Sequence, residues 1–170
     1  MSEVTYRRST VADKEAITQL ILKCFGNREG WEEGVSEGRF LCAFDESRLV
    51  GITGIHISDA YRGYLVDMTC VDKEYRCRGI ATVLIMKEIQ RVGVEADIYC
   101  DCWAIGKGNN IHLRHAMELL GFELVIQNHS RTVAAYETFC AKHCVMCHSS
   151  CMCRDDLYIR RAGKEITYSV

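Results

Sequence analysis

Proline is absent from the 170-residue chain. Its turns must therefore rely on Gly, Asn, Asp and Ser, which reach turn conformations by other means. The sequence also has no apolar run that approaches the roughly 20 residues needed to span a membrane. The formal net charge of −2 lacks the basic surplus that favours general binding to nucleic acid or to an anionic membrane. We therefore expect neither as a partner.

Cysteine is the residue type that the chain has in excess, with eleven copies. The first residues carry charges without the apolar core of a secretory signal, so we expect a cytoplasmic protein. In that reducing compartment thiols serve as metal ligands or as small buried residues more often than they form disulfides. The rest of the composition, 48% hydrophobic and 26% charged, is typical of one compact domain, here spanning 1–170.

Hydrophobic periodicity predicts a mixed fold of strands and helices. Strands are predicted over 4–8, 39–44, 49–57, 64–71, 96–103, 122–127, 132–139 and 156–161. Helices are predicted after the capping sequence at 10–13, over about 79–92, and in a segment that ends at Gly121. We therefore expect an α/β (α+β) domain with a mixed, mostly antiparallel central sheet and helices on both faces.

A short basic segment that contains glycine joins the strand predicted over 64–71 to the next helix. Its sequence is Arg76-Cys77-Arg78-Gly79-Ile80-Ala81, followed by Thr82. Unpaired N–H groups and a partial positive charge at a helix start suit a pyrophosphate. Gly79 and Ala81 are small enough for phosphates to approach the backbone. Arg76 and Arg78 add positive charge and Thr82 adds a hydroxyl, so the segment predicts a phosphate-binding loop.

Three segments together resemble the GNAT family of N-acetyltransferases. Residues 71–81 resemble the family's acyl-coenzyme A signature, an aliphatic strand end followed by Arg-x-x-Gly-x-Ala. Residues 110–122 have the family's spacing from an asparagine to a Gly-Phe pair, and residues 6–13 resemble its first strand and helix start. The resemblance covers most of residues 4–139. It implies a GNAT-type acyl-CoA fold that binds acetyl-coenzyme A.

The resemblance also implies how the coenzyme is held. In the family the acyl donor lies in a V-shaped opening between two strands, here those carrying 64–71 and 96–103. Backbone groups of the first strand pair with the pantetheine arm and help to polarise the thioester carbonyl, which is an effective catalytic device. The coenzyme-binding residues implied in this way are Thr69, Cys70, Val71, Arg76, Cys77, Arg78, Gly79, Ile80, Ala81, Thr82 and Asn110.

An amine that attacks a thioester needs a group to remove its proton. Asp67 stands where many family members place a glutamate, so the resemblance implies Asp67 as the base and Asp101, on the neighbouring strand, as the second candidate. Strict alternation would place Asp67, Thr69 and Val71 on one face of the strand. For either carboxylate the alternative is a strand-end side chain that faces solvent or pairs with an arginine.

Met117 departs from the family pattern, which commonly has a tyrosine there to protonate the leaving thiolate. A thiol with a pKa of about 8.5 can leave as the thiolate without that acid. The other candidate donors are His112, His115, Tyr99 and Cys100. Met117 lies on an apolar helical stripe, which favours a core position. Asn110 suits the N-cap of this helix, and the matching asparagine in the family often touches the coenzyme.

Five cysteines and two histidines crowd into residues 140–153, between the last two predicted strands. Thiolate and imidazole groups at such short spacings suit tetrahedral Zn²⁺. We expect a structural zinc that makes this insertion rigid. Its predicted ligands are Cys144, Cys147, Cys151 and Cys153, with Cys140 or a histidine able to replace one of them. An iron–sulfur cluster and a loop of free thiols are the alternatives.

These features predict an acetyl-CoA-dependent N-acetyltransferase that transfers an acetyl group directly to a primary amine of a small molecule or a protein. The alternative is a non-catalytic acyl-CoA sensor, or a metal-stabilised interaction module, on the same fold. Met117 favours the alternative, whereas Asp67 beside an intact phosphate loop favours the enzyme. The acceptor stays open because acceptor sites lie in variable loops, here 26–38 and 140–155. A homodimer is compatible with the sequence.

Overall fold

The computed structural model describes residues 3–25, 32–93, 95–105, 110–111, 113–127 and 154–166. Its strands are β1 (Val4–Arg8), β2 (Phe40–Asp45), β3 (Arg48–Ser58), β4 (Gly63–Val71), β5 (Ile98–Ile105), β6 (Asn110–Ile111), β7 (Glu123–Ile126) and β8 (Arg154–Arg160). Its helices are α1 (Lys14–Phe25), α2 (Glu32–Ser36), α3 (Ile80–Val92) and α4 (Arg114–Leu119). The strand predicted over 132–139 and the cysteine-rich insertion lie outside the described residues.

The strands form one sheet in the order β1-β2-β3-β4-β5-β8-β7, and the short β6 pairs with β5. All of these pairings are antiparallel except that of β4 with β5. The exception follows from the chain order, because β4 leads into α3 before β5 and parallel neighbours need such a crossover. The predicted mixed, mostly antiparallel sheet is confirmed.

Helices cover both faces of the sheet, as predicted. On one face, α1 packs through Ile17 and Ile21 onto a buried cluster from β2, β3 and β4. On the other face, α3 and α4 pack through residues that include Ile89 and Met117. No helix within the described residues is long and apolar enough to cross a membrane.

The start of α1 is held by the predicted capping sequence. The carboxylate of Asp13 accepts hydrogen bonds from the Thr10 N–H at 2.8 Å and the Thr10 hydroxyl at 2.7 Å. Arg7 donates two further bonds of 2.7 Å to the same carboxylate. Arg7 first, and Thr10 after it, hold the pKa of Asp13 well below its usual range against the opposing effect of burial. This ion pair ties β1 to the helix that follows it.

Candidate active site

The parallel strands β4 and β5 are paired at one end and parted at the other. Their register is Tyr64 with Ile98, Leu65 with Tyr99 and Val66 with Cys100. Beyond these pairs, and among the described residues, β4 continues with β3 while β5 continues with β8. The sheet therefore opens between the C-terminal halves of β4 and β5, in the position that the family resemblance implies.

A β-bulge lies on β4 at the mouth of this opening. Gly54 pairs with Asp67 and Ile52 pairs with Cys70, so a single β3 residue lies opposite two residues of β4. Met68, one of those two, has a φ of 50°. An extra residue of this kind bends the strand and re-aims the side chains around it.

The bulge overturns the alternation expected on β4. Asp67 and Cys70 pair with residues two apart on β3 and so share a face, on which Cys70 packs with the α1 cluster. Val71 packs on the opposite face, in a cluster with α3. The prediction that Asp67, Thr69 and Val71 share a face is therefore wrong, because a period of two holds only for a regular strand.

Two carboxylates stand where the strands part. The Oδ1 atom of exposed Asp67 accepts a hydrogen bond of 2.7 Å from the Met68 N–H. The Oδ2 atom of Asp101 accepts one of 3.0 Å from the Tyr61 hydroxyl, and the Tyr61 ring stacks on Tyr99 with centroids 4.7 Å apart. Val66 of β4 and Cys100 of β5 are the last residues paired between these two strands, and one aspartate comes directly after each of them. Both aspartates therefore lie on the same face of the sheet. The arrangement is acidic and aromatic, which suits a protonated amine.

The predicted phosphate loop runs from β4 into α3 through two left-handed residues. Cys77 has a φ of 60° and Gly79, the N-cap of α3, has a φ of 77°. Alternation of this kind turns successive N–H groups toward one concave surface that binds anions, here at the positive end of a helix. An added Cβ on Gly79 would have nothing within 4 Å. The space beside Gly79 in that direction is therefore open.

Neighbouring groups hold the two arginines of this loop. The Nε of Arg76 donates to the Val71 carbonyl at 3.1 Å. The guanidinium of Arg78 lies 4.8 Å from the centroid of the Tyr75 ring, and the Tyr75 hydroxyl donates to Asp45 at 2.7 Å. Both arginines remain exposed. The loop is thus preformed, with two positive charges at its surface.

The first turn of α3 fixes the loop to the core. Ile80 is buried in a cluster with Val71, Ala81 is half-buried and Thr82 is buried. A Cβ on Gly51 of β3 would lie 3.1 Å from the Ile80 side chain, so this glycine lets α3 approach the sheet. The predicted contacts of these residues with a coenzyme stay a prediction.

The second sequence block forms α4 around a buried methionine. Met117 is fully buried, which confirms its predicted core position. The helix begins at Arg114 with Leu113 as its N-cap, so the prediction that Asn110 caps it is wrong. Pairing of Asn110 with Ile105 holds that residue in the short strand β6 instead. Whether Asn110 touches the coenzyme remains a prediction.

The predicted proton donors lie in different places. Cys100 is buried with its sulfur 3.6 Å from that of Cys102. This hydrogen bond, and then burial, raise the pKa of Cys100 well above its usual value, which makes it a weak acid. His115 is exposed on α4, and Tyr99 belongs to the aromatic stack described above. His112 lies outside the described residues.

Tyr158, which no sequence pattern marked as functional, lies in the same buried cluster as Met117. It lies on β8 and pairs with Cys100. Burial raises the pKa of Tyr158, while a hydrogen bond with Arg114 opposes the rise. No local pattern could have found this phenol, because strand pairing alone brings it next to β5.

The predicted metal ligands Cys140, Cys144, Cys147, Cys151 and Cys153 lie outside the described residues. Within the part of the chain that the structure describes, no three or more His, Cys, Asp or Glu side chains are grouped to hold a metal ion. The zinc site therefore stays a prediction from the sequence.

A parallel strand pair that parts beside a basic loop at a helix start is the arrangement expected of an acyl-coenzyme A-binding fold. The acetyltransferase (GNAT) family matches the chain over residues 10–122. The chain therefore belongs to the GNAT acetyltransferase family. No curated protein matches it at the level of whole sequences.

Solved structures share the fold at low sequence identity. One is diaminobutyrate acetyltransferase EctA from Paenibacillus lautus with L-2,4-diaminobutyric acid and coenzyme A (TM-score 0.65, 16% identity, 94% of this chain and 95% of that chain). Another is NAA60 from Arabidopsis thaliana with acetyl-CoA (0.65, 18%, 94% and 99%). N-acetylglutamate synthase from Neisseria gonorrhoeae with coenzyme A and L-arginine also matches (0.62, 13%, 96% and 34%). This chain spans about a third of that synthase chain. The GNAT acyl-CoA fold is confirmed.

Proposed function

We propose that the protein is an acetyl-CoA-dependent N-acetyltransferase that transfers an acetyl group directly to a primary amine of a small molecule or a protein. One observation carries the proposal: β4 and β5 part at a pair of carboxylates, and β4 then leads into a basic loop at the start of α3. The loop thus suits the pyrophosphate of the donor, and the carboxylates suit the amine of the acceptor.

The donor would lie along β4 on the side of the opening. Strand pairing between β4 and β5 ends at Val66, and the family resemblance implies that the pantetheine arm pairs with the β4 backbone beyond that residue. Arg76, Arg78 and the N–H groups at the start of α3 would hold the pyrophosphate. The solved neighbours support coenzyme A as the carrier of the acyl group, because the three described above contain coenzyme A or acetyl-CoA.

The acceptor would attack from the face that carries the carboxylates. Asp67 accepts the proton of the incoming ammonium, directly or through a water molecule, and the neutral nitrogen then bonds to the thioester carbon. A β4 N–H stabilises the oxyanion that forms. The C–S bond then breaks as the carbonyl re-forms, and the nitrogen, cationic after its attack, loses its second proton to solvent. The thiolate leaves with or without a proton from a nearby acid. Tyr99 and the buried phenol of Tyr158 are the candidate acids among the described residues.

The test is turnover with acetyl-CoA and a panel of amines that includes free amino acids, polyamines, aminoglycosides and peptides. Release of the coenzyme thiol is followed for the wild type, Asp67→Asn and Glu118→Gln. Glu118 is an exposed carboxylate on α4 and serves as the matched control. Loss of a general base should lower kcat by about 10²-fold or more in Asp67→Asn alone. Tight binding of acetyl-CoA without transfer to any amine would instead favour the acyl-CoA sensor.

We also propose a structural zinc in the insertion at about 140–153 and a cytoplasmic location. The spacing of its cysteines supports the metal. A rigid insertion there would shape the acceptor entrance or a partner surface, without taking part in the chemistry. Reduced thiols as metal ligands also fit a reducing compartment.

A further inference from the structure

Two cysteines from different elements meet beside the phosphate loop. Cys24 lies near the end of α1 and is half-buried, whereas Cys70 lies on β4 and is buried. Cys24 packs against the buried cluster that contains Cys70, and its sulfur lies 3.8 Å from the carbonyl oxygen of Val71, the residue after Cys70. The proposed acetyl transfer uses neither thiol, so their pairing needs another explanation.

The surroundings give the two thiols different reactivities. The Nη2 atom of Arg76 lies 3.9 Å from the Cys24 sulfur. Interaction with the Cys70 thiol, helped by Arg76, lowers the pKa of Cys24 to about 7 against the effect of burial. Burial raises the pKa of Cys70 well above its usual value. Around neutral pH a large fraction of Cys24 is therefore thiolate while Cys70 keeps its proton, which is the division of roles that thiol oxidation needs.

We propose that Cys24 and Cys70 form a modification site at which hydrogen peroxide makes a disulfide. The Cys24 thiolate attacks one peroxide oxygen, so that an S–O bond forms, the O–O bond breaks, and the released hydroxide is protonated to water. Cys24 is now a sulfenic acid, oxidised by two electrons. The Cys70 sulfur then attacks the Cys24 sulfur. The S–S bond forms, the S–O bond breaks, and the oxygen leaves with the Cys70 proton as a second water.

Arg76 couples this site to the coenzyme, and this part of the proposal rests on the proposed function. In the structure the Arg76 guanidinium lies between the Val71 carbonyl and the Cys24 sulfur. A bound pyrophosphate would take this positive charge away from Cys24. Coenzyme A should therefore slow the oxidation of Cys24, by about three- to tenfold. By reciprocity, a thiolate at Cys24 competes with the pyrophosphate for Arg76.

Peptide mapping after mild peroxide treatment tests the thiol pair without any acetyl transfer. Trypsin places Cys24 in residues 24–28, Cys70 in 63–73 and Cys42 in 40–48, so each thiol reports separately. Cys42 is buried in the same cluster, and burial raises its pKa to about 12, which makes it an internal control. We expect peptides 24–28 and 63–73 to become disulfide-linked while 40–48 stays reduced.

Two variants separate the roles of the thiols. In Cys70→Ser, a sulfenic acid should accumulate at Cys24 and be trapped by dimedone, because nothing remains to close the disulfide. In Cys24→Ser, peptide 63–73 should stay reduced. The pair is overturned if peroxide leaves no linked peptides in the wild type, or if Cys24 reacts no faster than Cys42.

The variant Arg76→Gln tests the coupling between the thiol pair and the coenzyme. It should slow the oxidation of Cys24 in the free protein and remove the protection by coenzyme A, measured at a coenzyme concentration that saturates the variant. Equal rates of disulfide formation with and without coenzyme A in the wild type would overturn the coupling through Arg76. The linked peptides would still establish the thiol pair in that case. The thiol pair and the proposed function are therefore tested separately.

Discussion

Gly79→Ala isolates the backbone conformation of the phosphate loop. Gly79 has a φ of 77°, and an added Cβ would have nothing within 4 Å. The substitution therefore creates no steric clash, and its cost is the cost of placing an L residue in the left-handed region. That cost is about 1–2 kcal/mol. The free energy of unfolding should fall by at most this amount.

The same strain should weaken the binding of acetyl-CoA. A free loop can relieve the strain by turning toward negative φ, which rotates the N–H groups at the start of α3 away from the pyrophosphate. Binding must then restore the original conformation, and the restoring cost is at most the strain itself. The loss of stability and the loss of affinity therefore share the strain, and the dissociation constant for acetyl-CoA should rise by up to about 5- to 30-fold.

Gly163→Ala is the matched control for this prediction. Gly163 has a φ of 78° and equally open space around an added Cβ, but it lies beyond β8 and outside the phosphate loop. Urea unfolding gives the free energy of unfolding of each variant, and titration calorimetry gives the dissociation constant for acetyl-CoA. Neither variant should lose more than about 1–2 kcal/mol of stability, and Gly79→Ala alone should lose affinity. Unchanged affinity in Gly79→Ala, together with a smaller loss of stability than in Gly163→Ala, would refute the assignment of this backbone to the pyrophosphate.

Three further predictions concern the ion pair at α1, the buried phenol and the cysteine-rich insertion. Because Arg7 lowers the pKa of Asp13, the stability from this pair is present above an unfolded pKa of about 3.9 and is lost as the pH falls below it. Urea unfolding at a series of pH values should show Asp13→Asn less stable by roughly 2 kcal/mol at pH 7, with the difference shrinking in acid; a difference that does not depend on pH would contradict the ion pair. If Tyr158 protonates the leaving thiolate, Tyr158→Phe should lower kcat about tenfold at unchanged KM for acetyl-CoA and alter the alkaline limb of the pH profile; an unaltered kcat would exclude the role. Protein purified without added zinc should contain about one zinc per chain, and Cys144→Ser should lose it; a metal-free native protein would remove the zinc proposal.

Neighbouring residues were enough to predict the described elements. Within the described residues, the bounds predicted for the strands and helices agree with the structure to within a few residues, because amphipathic periods and helix caps are local properties. Asp13 shows this directly: its capping role was predicted from the spacing alone and is seen as two hydrogen bonds to Thr10. The core position of Met117 followed in the same way from its apolar stripe.

The geometry around the opening was out of reach of the sequence, because it depends on which strands pair and where the pairing stops. The bulge at Met68 reverses the faces of the residues after it, and no local pattern announces an extra residue that is defined by its partner strand. Asn110 was assigned to a helix cap because it precedes α4, yet pairing with Ile105 places it in a strand.

The phosphate loop, the capping of α1 and the core face of α4 are thus properties of contiguous residues, and the linear sequence carries them. The parted strands, the shared face of Asp67 and Asp101, and the meeting of Cys24 with Cys70 belong to the folded sheet. These contacts join residues far apart in the chain. Their positions depend on the register and packing of whole elements, which no short window of the sequence contains.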